Sequence, residues 1–125
     1  MAREAKTIAK LALDLGAIVT SPLVRAKQTA LIVADTLNMR SRLVEDRRLG
    51  FAFDASALAE ILRERSGAAI MLVGHEPSMS RTIGAVVGGA RIDFKKGSLA
   101  CLNFEDPSSV AGELVWLVPP KVLAL

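Results

Sequence analysis

The sequence predicts an α/β domain with a mostly parallel sheet and an antiparallel edge near the C-terminus. Helix-like and strand-like patterns alternate along most of the chain, which is typical of this class. The continuous apolar run Ala69–Val73, between Gly67 and Gly74, indicates a buried parallel strand. The segments Ser98–Phe104 and Glu113–Val118 follow without a helix between them, which favours an antiparallel pair joined by a turn-rich stretch.

The earlier elements are predicted from apolar spacing and from capping residues. Gly16 is a typical helix stop, Ser21 and Asp54 are typical N-caps, and Pro22 suits a first helical position. The predicted helices are Ala2–Leu15, Pro22 to about Leu37, Ala55 to about Glu64, and Pro77 to about Val87. The predicted strands between the first three helices are Ala17–Thr20 and Leu43–Asp46.

Length and composition narrow the class of protein further. The chain has 125 residues, of which 51% are apolar, and this predicts one domain spanning residues 1–125. Its apolar runs are far shorter than the roughly 18 residues that a membrane span needs, so no membrane partner is expected. A single cysteine cannot form an internal disulfide, and one cysteine with one histidine cannot build a zinc site. We therefore expect no metal, no cofactor and a cytoplasmic location.

The charge of the chain favours a small anionic ligand over nucleic acid. Its 16 basic and 13 acidic residues give a net charge of +3, and the basic residues are spread along the sequence. There is no Tyr, one Trp and four Phe, and no basic run is interleaved with aromatic rings. Nucleic acid is therefore not an expected partner.

Two segments share one geometry in which an apolar strand, a sharp turn and a helix N-terminus follow one another. One of them leads through Ser21 to Arg25, and the other places His75 at the end of a strand. Ligands of open α/β sheets bind at the carboxyl ends of strands, and helix N-termini attract anions. We predict that Arg25 and His75 face one cleft that holds a phosphate or sulfate.

Each candidate side chain also has a purely structural interpretation. Arg25 could be a solvated helix charge, and His75 could bond within its own turn. The simplest roles are N-cap for Asp54, helix-terminus charge for Glu76, small core residue for Cys101, and solvated turn for Lys95–Gly97. An acid near a pocket is the alternative for Glu76.

Several motifs resemble the histidine phosphatase superfamily, a phosphoglycerate mutase-like group. Residues 20–30 read TSPLVRAKQTA and resemble its S-P-x-x-R-A-x-Q-T-A motif, and residues 73–80 read VGHEPSMS and resemble its second-histidine motif. Residues 95–100, KKGSLA, and residues 116–121, WLVPPK, are similar to the tail of its small SixA-type branch of phosphohistidine phosphatases. The resemblance extends in order over nearly the whole chain.

The resemblance implies a three-layer sandwich with the active site at the strand ends. It implies that Arg25 and His75 are catalytic residues that bind the phosphoryl oxygens, that Ser21 lies in the same phosphate site, and that no metal takes part. The implied mechanism has two steps, in which a phosphoryl group moves to a first histidine and water then hydrolyses that intermediate. The implied partners are phosphorylated protein histidine, a small phosphoester, and inorganic phosphate or sulfate.

The sequence departs from this pattern at its start. It contains one histidine and no R-H-G motif, which in the superfamily lies on the first strand and supplies the nucleophile. We expect either an N-terminally incomplete domain, which is the favoured interpretation, or a complete chain without a nucleophile that dimerises to compensate. Three functions follow as hypotheses: a phosphohistidine phosphatase, a nucleophile-less module that binds an oxyanion or a partner, and a phosphatase for small phosphometabolites. If the first strand is absent, Ala17–Thr20 and Ala69–Val73 lose a neighbouring partner, and we expect an open or solvent-accessible gap in the sheet, filled by a neighbouring chain or by local collapse.

Overall fold

The computed structural model describes residues 1–65, 67, 69–106 and 110–125. The helices are α1 (Ala2–Lys10), α2 (Val24–Thr36), α3 (Ala55–Glu64), α4 (Ser78–Val86) and α5 (Pro120–Leu123). The strands are β1 (Leu15–Thr20), β2 (Leu43–Glu45), β3 (Ala69–Val73), β4 (Leu99–Asn103) and β5 (Glu113–Val118). Short 3₁₀ turns cover Arg40–Arg42 and Arg47–Leu49. No helix in these described ranges is long and apolar enough to cross a membrane.

The parallel sheet has the strand order β2-β1-β3, with β1 at its centre. In the register of the sheet, Thr20 at the end of β1 lies opposite both Glu45 of β2 and Val73 of β3. The carboxyl ends of all three strands therefore meet at one edge. Ser21 leaves β1 at that edge, and its amide still donates to the carbonyl of Val73 at 2.9 Å.

Helices cover both faces of this sheet, so the predicted three-layer α/β class is confirmed. Side chains of a strand alternate between faces, and β1 divides its apolar residues accordingly. Ile18 packs on one side with residues of α1, α2 and α5, while Val19 packs on the other side with residues of α3 and α4. Both side chains are fully buried, which makes β1 the centre of the core.

The antiparallel pair of β4 and β5 was predicted as an edge of the parallel sheet, and the structure differs from that prediction in one respect. β4 and β5 pair with each other but form a separate two-stranded sheet, which is not hydrogen-bonded to β3. A largely apolar cavity of about 300 Å³ lies between the two sheets, lined by Ala69–Leu72 on one side and Ser98–Leu102 on the other. Each sheet thus keeps one unpaired strand edge toward this cavity.

Three element boundaries differ from the sequence predictions. The predicted helix Ala2–Leu15 ends at Lys10, because Leu15 pairs with Ala69 and belongs to β1. Strand β1 accordingly begins at Leu15 rather than at the predicted Ala17. In α1, Ala5 and Ile8 are buried. Helix α2 begins at Val24 rather than Pro22, since the Ser21 hydroxyl accepts from the Leu23 amide in a turn that precedes the helix.

Other sequence predictions agree closely with the structure. Strands β3 and β5 and helix α3 have the predicted bounds, and β2, α4 and β4 differ from their predicted bounds by at most one residue at each end. Asp54 caps α3 as predicted, accepting from the Ala57 amide at 2.9 Å. The short C-terminal helix α5 was not predicted. The turn-rich stretch predicted between β4 and β5 lies partly outside the described residues.

Candidate active site

Ser21 forms the first corner of the candidate site, directly after β1. The residue is fully buried, and its hydroxyl oxygen accepts from the Leu23 amide at 3.2 Å. Its backbone carbonyl accepts from the Thr20 hydroxyl at 3.0 Å. These contacts hold the Ser21 side chain in one orientation at the carboxyl edge of the sheet.

His75 forms the second corner, two residues after β3. Its Nε2 atom lies 2.8 Å from the Ser21 hydroxyl oxygen, within hydrogen-bond distance. The His75 carbonyl accepts from the Met79 amide at 2.9 Å, which ties the residue to the start of α4. The two strand ends that the sequence singled out are therefore joined by a direct side-chain contact.

Arg25 reaches the same place from the first turn of α2. Arg25 and His75 both line a cavity of about 530 Å³ at the carboxyl edge of the sheet. The Arg25 side chain is exposed, and within the described part of the chain it has no ion pair or hydrogen bond. Its guanidinium is thus available to a ligand. Ser21 is fully buried and is not among the lining residues.

The ring of His75 is partly shielded from water. The Phe51 ring packs against it, with ring centroids 4.4 Å apart and an angle of 35° between the planes. Burial lowers the pKa of His75 below its usual value near 6.5, since desolvation disfavours the charged imidazolium. At neutral pH the free protein therefore holds a neutral His75.

Other charged groups stand around the cavity. Lys95 and Lys96 are exposed residues of its lining, in the turn that was predicted to be solvated. Glu76 also lines the cavity, and its carboxylate accepts from the Ser80 amide at 2.8 Å. The predicted role of Glu76 at the N-terminus of α4 is therefore confirmed. The cationic groups in the lining outnumber this single carboxylate.

Comparison with solved structures relates this arrangement to known proteins. A structure of the protein histidine phosphatase SixA in complex with tungstate matches 96% of this chain and 79% of its own, with a TM-score of 0.83 and 22% identity. The fold is that of SixA. A second SixA structure, assigned as a phosphohistidine phosphatase from Agrobacterium tumefaciens, matches 95% of this chain and 80% of its own, with a TM-score of 0.69 and 19% identity. The sequence matches no protein-family model and no curated protein.

The SixA fold confirms the resemblance that the motifs indicated, at the level of the fold. In this fold, Ser21 and His75 lie at the carboxyl edge of the parallel sheet, and Arg25 lines the same cavity as His75. Within the described ranges, no group of three or more His, Cys, Asp or Glu residues could hold a metal ion. Cys101 lies half-buried in β4 and lines the cavity between the two sheets, away from these site residues.

Sequence reasoning missed one residue of the site in this SixA-like fold. Phe51 follows a 3₁₀ turn in a segment without helix or strand periodicity, so nothing in the local pattern linked it to His75. The signal that could have indicated Phe51 is its residue type, because a large aromatic ring in an irregular segment is a candidate for an exposed contact. In the structure this ring is indeed exposed.

Proposed function

We propose that this chain provides the phosphoryl-binding site of a phosphohistidine phosphatase. The observation that carries the proposal is the junction of two strand ends, where His75 meets Ser21 and shares a cavity with Arg25. The tungstate complex of the SixA neighbour adds support, because tungstate is a tetrahedral oxyanion like phosphate. The proposed substrate is a phosphorylated histidine on a protein.

Each site residue has a distinct proposed role. Arg25 offers a planar guanidinium fork that can hold two phosphoryl oxygens at once. His75 donates a hydrogen bond to a third oxygen, and it gains a proton when the anion arrives. Ser21 is a positioning residue, since it is buried and reaches the phosphoryl group only through His75.

The electrostatic balance of the cavity suits a dianion. Arg25, Lys95 and Lys96 contribute positive charge, and α2 begins beside the site, where its helix dipole favours an anion. The Glu76 carboxylate opposes an anion, but the Ser80 amide already neutralises part of its field. The cationic groups therefore dominate at the mouth.

Hydrolysis by the superfamily route needs a nucleophilic imidazole in addition to His75. In that route the P–N bond to the substrate histidine breaks as a new P–N bond forms on the nucleophile, and the leaving imidazole takes a proton. Water then attacks phosphorus and releases inorganic phosphate. The 125 residues contain one histidine, so we expect them to bind the phosphoryl group without forming a phosphoenzyme. This observation also favours the second candidate function, an oxyanion-binding module.

The proposed cellular location rests on the amino-acid composition. A single cysteine excludes an internal disulfide, which supports a cytoplasmic setting with reduced thiols. The phosphorylated protein histidine and the inorganic anion share the same recognition chemistry. We therefore use the inorganic anion as the probe for the site.

The test is a sulfate titration followed through the ring resonances of His75, the single histidine in the sequence. We expect sulfate to move these resonances in the wild type and Arg25→Ala to weaken binding about tenfold, as loss of a charged hydrogen-bond partner does. Arg63→Ala is the matched control, because it removes an exposed arginine of α3 that does not line the cavity. Unmoved His75 resonances, or equal effects of the two arginine variants, would sink the proposal.

The pH dependence of sulfate binding sharpens the test. Sulfate stays a dianion between about pH 5 and 8, while His75 gains its proton as pH falls through its lowered pKa. We expect sulfate affinity to rise as pH falls across that interval, and sulfate in turn to raise the pKa of His75. Ser21→Ala is expected to change that pKa, which a purely structural role of Ser21 would leave in place. In His75→Gln the pH dependence should disappear.

A further inference from the structure

Phe51 is an exposed aromatic residue at the entrance to the candidate site. Its side chain is 68% exposed although its ring rests on His75, and it lines the same cavity as Arg25. We propose that Phe51 is a specificity-determining residue that stacks on a planar ring attached to the phosphoryl group, so that the site favours phosphorylated histidine over aliphatic phosphoesters. This inference rests on the proposed function.

The position of Phe51 is set by its neighbours on both sides. Leu49 is fully buried and Phe53 is 6% exposed, so two anchors flank the exposed ring. The Phe51 carbonyl accepts from the hydroxyl of Ser78, a buried residue in the first turn of α4, at 2.6 Å. The backbone is thus fixed to the helix that follows His75, and the ring is held outward at the mouth of the cavity.

The size of the cavity supports a substrate larger than a bare anion. A volume of about 530 Å³ lies within the range of sites that hold small organic ligands and far exceeds a single oxyanion. Arg25, Lys95 and Lys96 of its lining can meet the phosphoryl oxygens, and Phe51 lines the same cavity in contact with the ring of His75. Aromatic rings prefer offset or tilted stacking on one another, which an imidazole can meet and an alkyl chain cannot.

A second role for Phe51 gives a different result in experiments. If Phe51 served only to shield His75 from water, its replacement would change the binding of every anion alike. If it recognises a ring, its replacement would also lower the advantage of a ring-bearing anion over the other anions. The ratio of two affinities in one variant therefore separates the two roles.

The experiment compares three phosphonates that share one charged head group, using the full 125-residue chain. Benzylphosphonate carries a flat ring, cyclohexylmethylphosphonate carries a puckered ring of similar size, and methylphosphonate carries neither. We expect benzylphosphonate to bind about three- to tenfold more tightly than cyclohexylmethylphosphonate, which is the range of an aromatic pair. Calorimetry gives the dissociation constants, and His75 resonances report occupancy.

Variants assign this advantage to Phe51. Phe51→Leu should reduce the ratio of the benzylphosphonate and cyclohexylmethylphosphonate affinities to less than about twofold. Phe51→Trp should keep the advantage. Phe104→Leu is the matched control, because Phe104 lines the cavity between the sheets and lies outside the lining of the site.

The outcomes distinguish this inference from the proposed function. Equal binding of the three probes by the wild type would refute the role of Phe51 and leave the phosphoryl site intact. The same would follow if Phe51→Leu weakened all three probes by one common factor. If no phosphonate bound the wild type, the proposed function and this inference would both fall.

Discussion

Strand β1 and the β4–β5 pair both contain many apolar residues, but they differ in how much of each residue is buried. All but one of the residues in β1 are buried, whereas none of the residues of the two described strands β4 and β5 is. Both regions are rich in apolar side chains. The difference lies in their neighbours, because β1 has a strand on each side and helices on both faces, while β4 faces a cavity.

This contrast shows that neighbouring elements, more than apolar content, decide how much a strand contributes to stability. The free energy of burial scales with the apolar area that is removed from water, at about 25 cal/mol per Å². A strand at an open edge removes less of its area and leaves part of its backbone unpaired. In the candidate site, Ser21 follows the well-packed strand β1, whereas His75 follows β3, whose residues Ala69–Leu72 line the cavity between the sheets.

The largest expected effect comes from the same substitution made in both regions. Val19→Ala removes two methyl groups from a side chain with no exposure, and it should lower the free energy of unfolding by about 2 to 3 kcal/mol. Val115→Ala, at a β5 residue that is 52% exposed, should change it by less than about 0.5 kcal/mol. Urea denaturation of both variants measures the difference, and equal losses would remove the contrast.

Replacing an alanine with valine is expected to have smaller effects, and these should differ in sign between the two regions. Ala17→Val adds volume to a β1 position that is 5% exposed in the core, and overpacking should cost about 1 to 3 kcal/mol. Ala100→Val adds the same volume in β4, beside the cavity between the sheets, and should stabilise the protein by about 0.5 to 1 kcal/mol. Thermal denaturation gives both signs. A destabilised Ala100→Val would mean that β4 is as tightly packed as β1.

The smallest expected effect concerns the charge network that ties the end of β2 to α3. The Arg48 guanidinium contacts Asp46 at 2.6 Å and Glu64 at 2.7 Å. Arg48→Met should lower the free energy of unfolding by about 1 kcal/mol, because several partly exposed ion pairs are lost together. A matched Arg63→Met change, at an exposed α3 residue that forms no ion pair within the described part of the chain, should have almost no effect.

The pH dependence of that loss has a definite sign. Hydrogen bonds from Arg48 hold the pKa of Asp46 below its usual 3.8, so the folded state binds this proton less readily than the unfolded state. The stabilisation is therefore complete above about pH 5 and is lost as pH falls through the lowered pKa. The difference in stability between the wild type and Arg48→Met should shrink as pH falls through that lowered pKa. A difference that stays constant down to pH 2 would contradict this assignment.

The parts of the candidate site that depend on the sequence of strand, turn and helix along the chain were predictable. The positions of Arg25 and His75 follow from strand-turn-helix patterns, and parallel strands bring such ends to one edge. The Ser21 contact to His75 was not predictable in detail, because Ser21 looked like an N-cap and instead supports a turn before α2. Phe51 was missed, since its contact with His75 depends on how the segment after β2 folds back onto α4.

The sequence by itself determined the α/β class, the order of the main elements and the two corners of the site. Local spacing and capping chemistry suffice for these features. The tertiary structure alone decided where α1 ends, that β4 and β5 form a separate sheet, and that Phe51 covers His75. Each of these depends on contacts between distant segments, such as the pairing of Leu15 with Ala69, and the free energy of such contacts outweighs local preference.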